Sequence, residues 1–309
     1  MSETVLPRRD LLLGAAAPAL AGLAAAAASS SSALALSPAA GAVAGGAGAR
    51  AKFRQSASLW NLAPAPLEQL CAECVRLGVP SVELVGPDTF PTLRRHGLTC
   101  AIFGRHGFAK GFAHVEEHDE CVAACTRALD EAADFGAPNV ITFSGFRRGL
   151  PTEVGFRNMV DGLKKVAAHA EKRRVTLCLE MLNSRVDVPM KGHPDYFCDD
   201  IDQAVEIVKA VASERVKVLF DIYHVQIMNG DVIRRIRRHA AWIGHVHTAG
   251  NPGRCDLDVP DQELNYPAIL RALAETGYAG FVGQEFIPRA GTVEGNLAAL
   301  GNAVRLCHV

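Results

Sequence analysis

The chain has no excess of charge of either sign: 32 basic residues face 33 acidic ones, a formal net charge of -1 over 309 residues. That balance leaves no basic stripe for a phosphate backbone, which argues against nucleic acid as the main partner and favours small polar substrates. A glycine-rich phosphate loop after the first strand-like run is also missing, which speaks against an open, doubly wound nucleotide-binding sheet. Cys71 and Cys74 form a C-x-x-C pair, but no second pair follows at zinc spacing, and both lie in the apolar phase of a helix beginning near Pro66. The nine cysteines are odd in number and most fall inside apolar patterns, so they read as buried thiols rather than as a disulfide framework.

The N-terminal apolar run is interrupted. Arg8 and Arg9 precede Leu11, Leu12 and Leu13 and an Ala-rich stretch ending in serines, but Gly14, Pro18 and Gly22 break it. An export signal fits this composition better than a membrane anchor. The adjacent arginines, followed by Asp10 and the leucines, resemble a twin-arginine signal, with Pro7 in place of the usual Ser or Thr. Ala33-Leu34-Ala35 or Ala42-Val43-Ala44 fits a cleavage site, and residues 36–50 read as a flexible Ala/Gly linker. Residues 1–50 are therefore expected to be signal and linker, residues 51–309 a single folded domain. The mature protein is expected in the periplasm without stable membrane association. Export of an already folded chain agrees with free thiols.

From residue 53 onward, short β-rich runs alternate with longer helix-period segments, the pattern of βα units around a parallel sheet. Strands are predicted near Phe53–Leu59, Ser81–Val85, Leu98–Phe103, Asn139–Phe143, Val175–Glu180, Val216–Asp221, Trp242–His247 and Phe281–Glu285. Helices fall between them, such as Glu116–Phe135, Glu153–Lys172 and Ile201–Ala212, with Gly78, Gly97, Gly136 and Gly277 as stops. Eight alternations close a (β/α)8 TIM barrel, a size that about 250 residues routinely build as one domain.

In such barrels the reactive groups gather at the C-terminal ends of the strands, where the βα loops converge. Four successive strands here end in metal-capable side chains: Glu180 in LCLEMLN, Asp221 in LFDIYH, His247 in GHVHTAG and Glu285 in VGQEF. One carboxylate closing an apolar strand can be a capped turn or a buried ion pair. Four such groups in succession call for a shared cation to offset their desolvation. A mainly oxygen set suits manganese or magnesium, with cobalt tolerated, better than zinc.

From Phe53 to about Arg289 the chain resembles the hydroxypyruvate isomerase branch of the xylose isomerase-like barrels, a superfamily that also holds ketose 3-epimerases and inosose dehydratases. The segments FDIYHVQIMNGD, GHVHTAGNPGRCDLDVPDQELNYPAIL and GYAGFVGQEFIPR carry the resemblance. It implies that Glu180 and Glu285 bind the metal and exchange the substrate proton, and that Asp221 and His247 complete the ligand set. The isomerases often carry Gln within H-x-Q at the fourth position, so the HVH of this chain leans toward the epimerases. By the same resemblance His224 contacts a substrate oxygen and Arg254 reaches the substrate from the following loop. A homo-oligomer is likewise expected from the family.

These residue types fit one chemistry. Moving a carbonyl to the neighbouring carbon means removing a proton and carrying negative charge on two adjacent oxygens, which a chelating cation stabilises. One glutamate takes the proton and a second acid returns it. Arg254 either holds a substrate carboxylate or pairs with Asp256 or Asp258 in its own loop. Asn183 and Arg185 follow Glu180 in E-x-x-N-x-R, which resembles the substrate-side loop of the superfamily. Lys191 is a candidate for an acidic substrate, while it and His193 also read as exposed loop charges. His245 reads as a packed or supporting histidine, Glu83 as lining the mouth or bonding a loop, and His106 as part of a Gly-rich lid. Arg234, Arg235, Arg237 and Arg238 read as a solvent or subunit face. The expected activity is conversion of hydroxypyruvate to tartronate semialdehyde, against a ketose 3-epimerase, an inosose-dehydratase-like lyase, or a non-catalytic sugar-acid binding protein.

Overall fold

Residues 51–309 are described by the computed structural model; the signal and linker expected over residues 1–50 lie outside them. The eight strands are β1 (Arg54–Ser58), β2 (Val82–Glu83), β3 (Ile102–Phe103), β4 (Asn139–Phe143), β5 (Thr176–Glu180), β6 (Val216–Asp221), β7 (Ile243–Thr248) and β8 (Phe281–Gln284). Every pairing between them is parallel, in the order β2-β1-β8-β7-β6-β5-β4-β3. The two ends of that order meet through a Ser81–Thr99 bridge and a bond from the Leu84 N–H to the Ile102 carbonyl at 2.9 Å, so the sheet closes on itself. The result is the expected TIM barrel.

The connecting helices are α1 (Leu67–Leu77), α2 (Phe90–Arg95), α3 (His118–Phe135), α4 (Thr152–Arg173), α5 (Ile201–Val211), α6 (Ile222–Met228), α7 (Val232–His239), α8 (Tyr266–Glu275) and α9 (Val293–Leu306). They form because their apolar residues recur on one face. In α5 the buried set is Ile201, Ala204, Val205, Ile207, Val208 and Val211, and Asp200 caps the first turn by accepting from the Gln203 N–H. Strands β4 and β5 are buried at every position, as parallel strands covered on both faces must be. None of the described helices is long and apolar enough to cross a membrane.

Glycine stops two helices as predicted: Gly78 and Gly136 adopt φ of 71° and 92° and close α1 and α3. Helices α4 and α5 instead end on left-handed Arg174 and Ala212, which no sequence signal announces. Strand β2 is shorter than its apolar run because Leu84 turns to φ 55°, taking the chain out of extended geometry directly after Glu83. Between β6 and β7 the register slips at Val218/Leu219, which pair with Ile243 and His245 and leave Gly244 unmatched. Downstream of this bulge Asp221 stands opposite His247. All nine cysteines are buried and unpaired.

Candidate active site

Each of the four strand-end groups is delivered by a local reason. Asp221 closes β6 and caps α6: one carboxylate oxygen accepts from the N–H groups of Tyr223 (2.8 Å) and His224 (3.4 Å). Its Oδ2 is left without a partner. Glu180 ends β5 and leaves Oε1 unpartnered at 5% exposure. Glu285 follows β8; Trp60 Nε1 donates to its Oε1 at 3.0 Å and Arg254 Nη2 to its Oε2 at 2.5 Å. His247 Nδ1 lies 2.9 Å from Glu285 Oε2 and 3.5 Å from Glu180 Oε1, without the angles of a hydrogen bond.

Ligand atoms of Glu180, Asp221, His247 and Glu285 thus lie within 4.8 Å of one another, all buried. Buried polar atoms without partners are costly, and here three of them, Glu180 Oε1, Asp221 Oδ2 and His247 Nδ1, converge on one point. That convergence fits a divalent cation, and the three-carboxylate, one-imidazole set fits manganese or magnesium. His224 adds a fourth unpartnered atom, Nε2, 3.6 Å from Asp221 Oδ2.

The carboxylates differ in their proton affinity. Burial, with Glu285 and Asp221 close by, pushes Glu180 up to about 7, although His247 opposes the shift. Burial would raise Glu285 as well, but the Arg254 guanidinium and His247 outweigh it and hold this carboxyl below the ordinary range. Burial raises Asp221 against the pull of Arg254. In the absence of a cation, Glu180 is thus the carboxyl that more readily holds a proton and Glu285 the one that stays ionised.

Arg254 is 3% exposed and held at φ 54°. It lies over the Trp60 ring at 5.1 Å and also donates to the Met190 carbonyl. Its charge goes to Glu285 and Asp221, not to Asp256 or Asp258. Asp256 accepts instead from the Arg289 N–H and Asp258 from Asn302. Asn183 is fully buried, and its amide is engaged by the Lys191 carbonyl, the Val186 N–H and His224 Nδ1. It shapes the β5–α5 loop and fixes the His224 ring. Lys191 contributes its carbonyl to Asn183 and Tyr223.

A cavity of about 140 Å3 opens on Glu180, Glu285 and Arg254, walled by Trp60, Leu84, Phe108, Ile141, Phe143, Leu182, Met190 and His193. His193 is therefore a buried wall residue rather than an exposed loop charge, tilted at 57° against Phe108 with centroids 4.3 Å apart. His106 bonds Thr142 at 2.9 Å beside the third strand. In the arginine run, Arg234, Arg235 and Arg237 pair with Asp231, Asp202 and Glu275. Arg185 is exposed and donates to the Ile227 carbonyl.

One contributor escapes a sequence reading and another has a different role from the one expected. Trp60 follows β1 with no motif around it. Glu83 does not line the mouth; it is fully buried in the barrel, with His245 Nε2 at 3.2 Å and His247 Nε2 at 3.0 Å. Burial would raise the Glu83 carboxyl, but the two imidazoles hold it at about 2.

Residues 91–302 match the family of xylose isomerase-like TIM barrels. The chain belongs to that family. Within reach of this xylose isomerase-like barrel is the 2-oxo-tetronate isomerase of Cupriavidus necator, 35% identical over 170 residues, or 55% of this chain and 62% of that one. A provisionally named hydroxypyruvate isomerase of Homo sapiens is 36% identical over 136 residues, or 44% and 47% of the two chains. These matches span about half to three fifths of each relative's length. The crystal structure of AP endonuclease, family 2, from Brucella melitensis superposes with a TM-score of 0.70 at 28% identity, covering 79% of this chain and 96% of that one.

Proposed function

We propose that the protein is a metal-dependent isomerase that moves a carbonyl between neighbouring carbons of a short hydroxy-2-oxo acid, hydroxypyruvate to tartronate semialdehyde or its four-carbon homologue. The carrying observation is the convergence of unpartnered Glu180, Asp221 and His247 atoms beside two glutamates of separated proton affinity. The names of the Cupriavidus and human relatives support the substrate class, and the small cavity suits three or four carbons.

Glu180, Asp221, His247 and Glu285 would hold a divalent cation, which would supply positive charge against the two neighbouring substrate oxygens. Glu180, whose Oε1 is unpartnered beside the cavity, would take a proton from one carbon and return it to the next. Glu285 stays ionised between Arg254, His247 and Trp60, and holds Arg254 and Trp60 at the cavity wall. His224 offers Nε2 to a substrate oxygen, its ring fixed from behind by Asn183. The substrate carboxylate would pair with Arg254, whose guanidinium lines the cavity. The apolar wall of Phe108, Phe143, Leu182 and Met190 limits water around the reacting carbons.

His247 at the fourth ligand position favours a second reading, a 3-epimerase of free ketoses, in which Glu285 serves as the acid on the opposite face. An endonuclease reading, which the Brucella structure raises, has less support: the chain is close to neutral, and Arg254 already flanks the cluster where further cations would sit.

Hydrogen–deuterium exchange followed by NMR on the Mg2+-loaded protein tests the proposal, with hydroxypyruvate, 2-oxo-tetronate, free ketoses and an inosose offered in turn. Exchange and isomerised product with the oxo acids are expected, and chelation should abolish both. Exchange with ketoses alone would move the assignment to the epimerases, and loss of water from the inosose to the lyases. Metal binding without exchange on any of them would favour a sugar-acid binding protein.

A further inference from the structure

The chemistry proposed above uses His247 at one ring nitrogen only. The other nitrogen points down into the barrel, where a second group of titratable side chains, Glu83, His245 and His247, lies within 4.8 Å of one another. All three are 0% exposed. Glu83 Oε1 is 3.0 Å from His247 Nε2, close enough for a hydrogen bond but without its angles, and is bonded to His245 Nε2 at 3.4 Å, while Glu83 Oε2 is 3.2 Å from His245 Nε2. The rings of His245 and His247 stand at 88° to each other, 4.9 Å apart, so one carboxylate reaches both.

The barrel is built to admit this carboxylate. Gly283 on β8 pairs with His247, and a Cβ at Gly283 would fall 1.8 Å from Glu83 Oε1 and 2.9 Å from His247 Cδ2. Glu83 is the last residue of β2, directly before the left-handed turn at Leu84. A neutral imidazole carries its single proton on either nitrogen, and a ring that is to offer Nδ1 to a cation must keep the proton on Nε2. Ligating histidines commonly donate that second N–H to a carboxylate, which fixes both the tautomer and the ring plane.

We propose that Glu83 is a positioning residue: it accepts from His247 Nε2–H and so aims Nδ1 at the Glu180–Asp221–Glu285 cluster, while His245 clamps Glu83 from the deeper layer. This rests on the reading of that cluster as a cation site. A second cation among the three groups is the competing account; it would have only three ligand atoms in a sealed interior and would require His247 to bridge two ions.

The test is calorimetric titration of Mn2+ into the metal-free full chain, as wild type, Glu83→Leu and Glu83→Gln. Wild type is expected to take one ion. Glu83→Leu, which keeps an apolar side chain of similar size in the barrel, is expected to bind about 10- to 100-fold more weakly. Glu83→Gln, whose amide oxygen still accepts from Nε2–H, should recover most of the loss. Binding by Glu83→Leu within about twofold of wild type, or equal loss in both variants, overturns the proposal. So do two ions in wild type of which Glu83→Leu loses one. Crystal structures of metal-free wild type and Glu83→Leu give a readout independent of metal: the His247 ring is expected to leave its plane in the variant, and an unchanged ring overturns the inference. Should wild type bind no Mn2+, the cation-site reading fails, and the ring comparison still decides the role of Glu83.

Discussion

A carboxylate taken out of water at the end of an apolar strand carries a penalty of several kcal/mol unless something charged meets it. Glu285 meets Arg254, His247 and Trp60, whereas Glu180 keeps an unpartnered oxygen and a raised proton affinity. Replacing Glu180 by Gln is therefore expected to cut turnover by about 10²- to 10⁴-fold, with the melting temperature held or raised because a buried charge is gone. Near-wild-type turnover in Glu180→Gln, measured with metal bound, would remove Glu180 from the chemistry. The four strand-end groups were legible because charge interrupts an apolar run at each strand end, a local signal. Glu83 and Trp60 were not: their partners, His247 and Glu285, are 164 and 225 residues away in the chain, and only closure of the barrel brings them together. Asn183 was read as facing substrate because its spacing from Glu180 is visible. Its bonds to His224 and to the loop backbone are not.

Strand and helix identity follow from periodicity and strand order from the closure of successive βα units, so the barrel is readable, and the ends of β4, β5 and β6 fall where the apolar runs stop. The geometry that aims the site was harder to read. It depends on the unmatched Gly244 in β7 and the left-handed Leu84 after β2, which leave no periodic trace. Gly283 tests how tightly that geometry is set. A methyl group there collides with Glu83 and His247, both locked in the interior, so Gly283→Ala is expected to destabilise the fold by about 1–3 kcal/mol and to weaken Mn2+ binding together with it. Chemical denaturation and calorimetry on the same preparation check both. Loss of stability with unchanged metal affinity would separate packing at Gly283 from the His247 geometry.

For the whole molecule, buried neutral histidines make stability depend on pH. Burial, helped by Arg254 and opposed by Glu285, lowers His193 to about 4, and burial also lowers His224 well below its usual value. The unfolded chain takes these protons near pH 6.5, before the native protein does, so this contribution is intact above that pH and is lost as the pH falls through about 4. Glu180 works in the opposite sense in the metal-free protein: raised to about 7, it stabilises the fold at low pH and loses that contribution as pH rises through 7. The informative quantity is thus the difference between wild type and His193→Gln. The melting temperature of the variant is expected to fall less steeply from pH 6.5 to 4, and parallel curves would show that His193 does not resist protonation. Export belongs to this scale as a proposal. Changing Arg8 and Arg9 together to Lys is expected to retain the protein in the cytoplasm on fractionation, and unchanged export would exclude the twin-arginine route.

The nine sealed sulfhydryls run from Cys71 in α1 to Cys307 just after α9, four in helices, one in a strand and four in connecting segments. Each can meet an alkylating reagent only after its own neighbourhood has opened. The protein therefore carries a set of internal clocks: pulse labelling under native conditions, read peptide by peptide, would give separate opening rates for α1, α3, β5 and the segments around Cys100, Cys198, Cys255 and Cys307 without introducing a single probe.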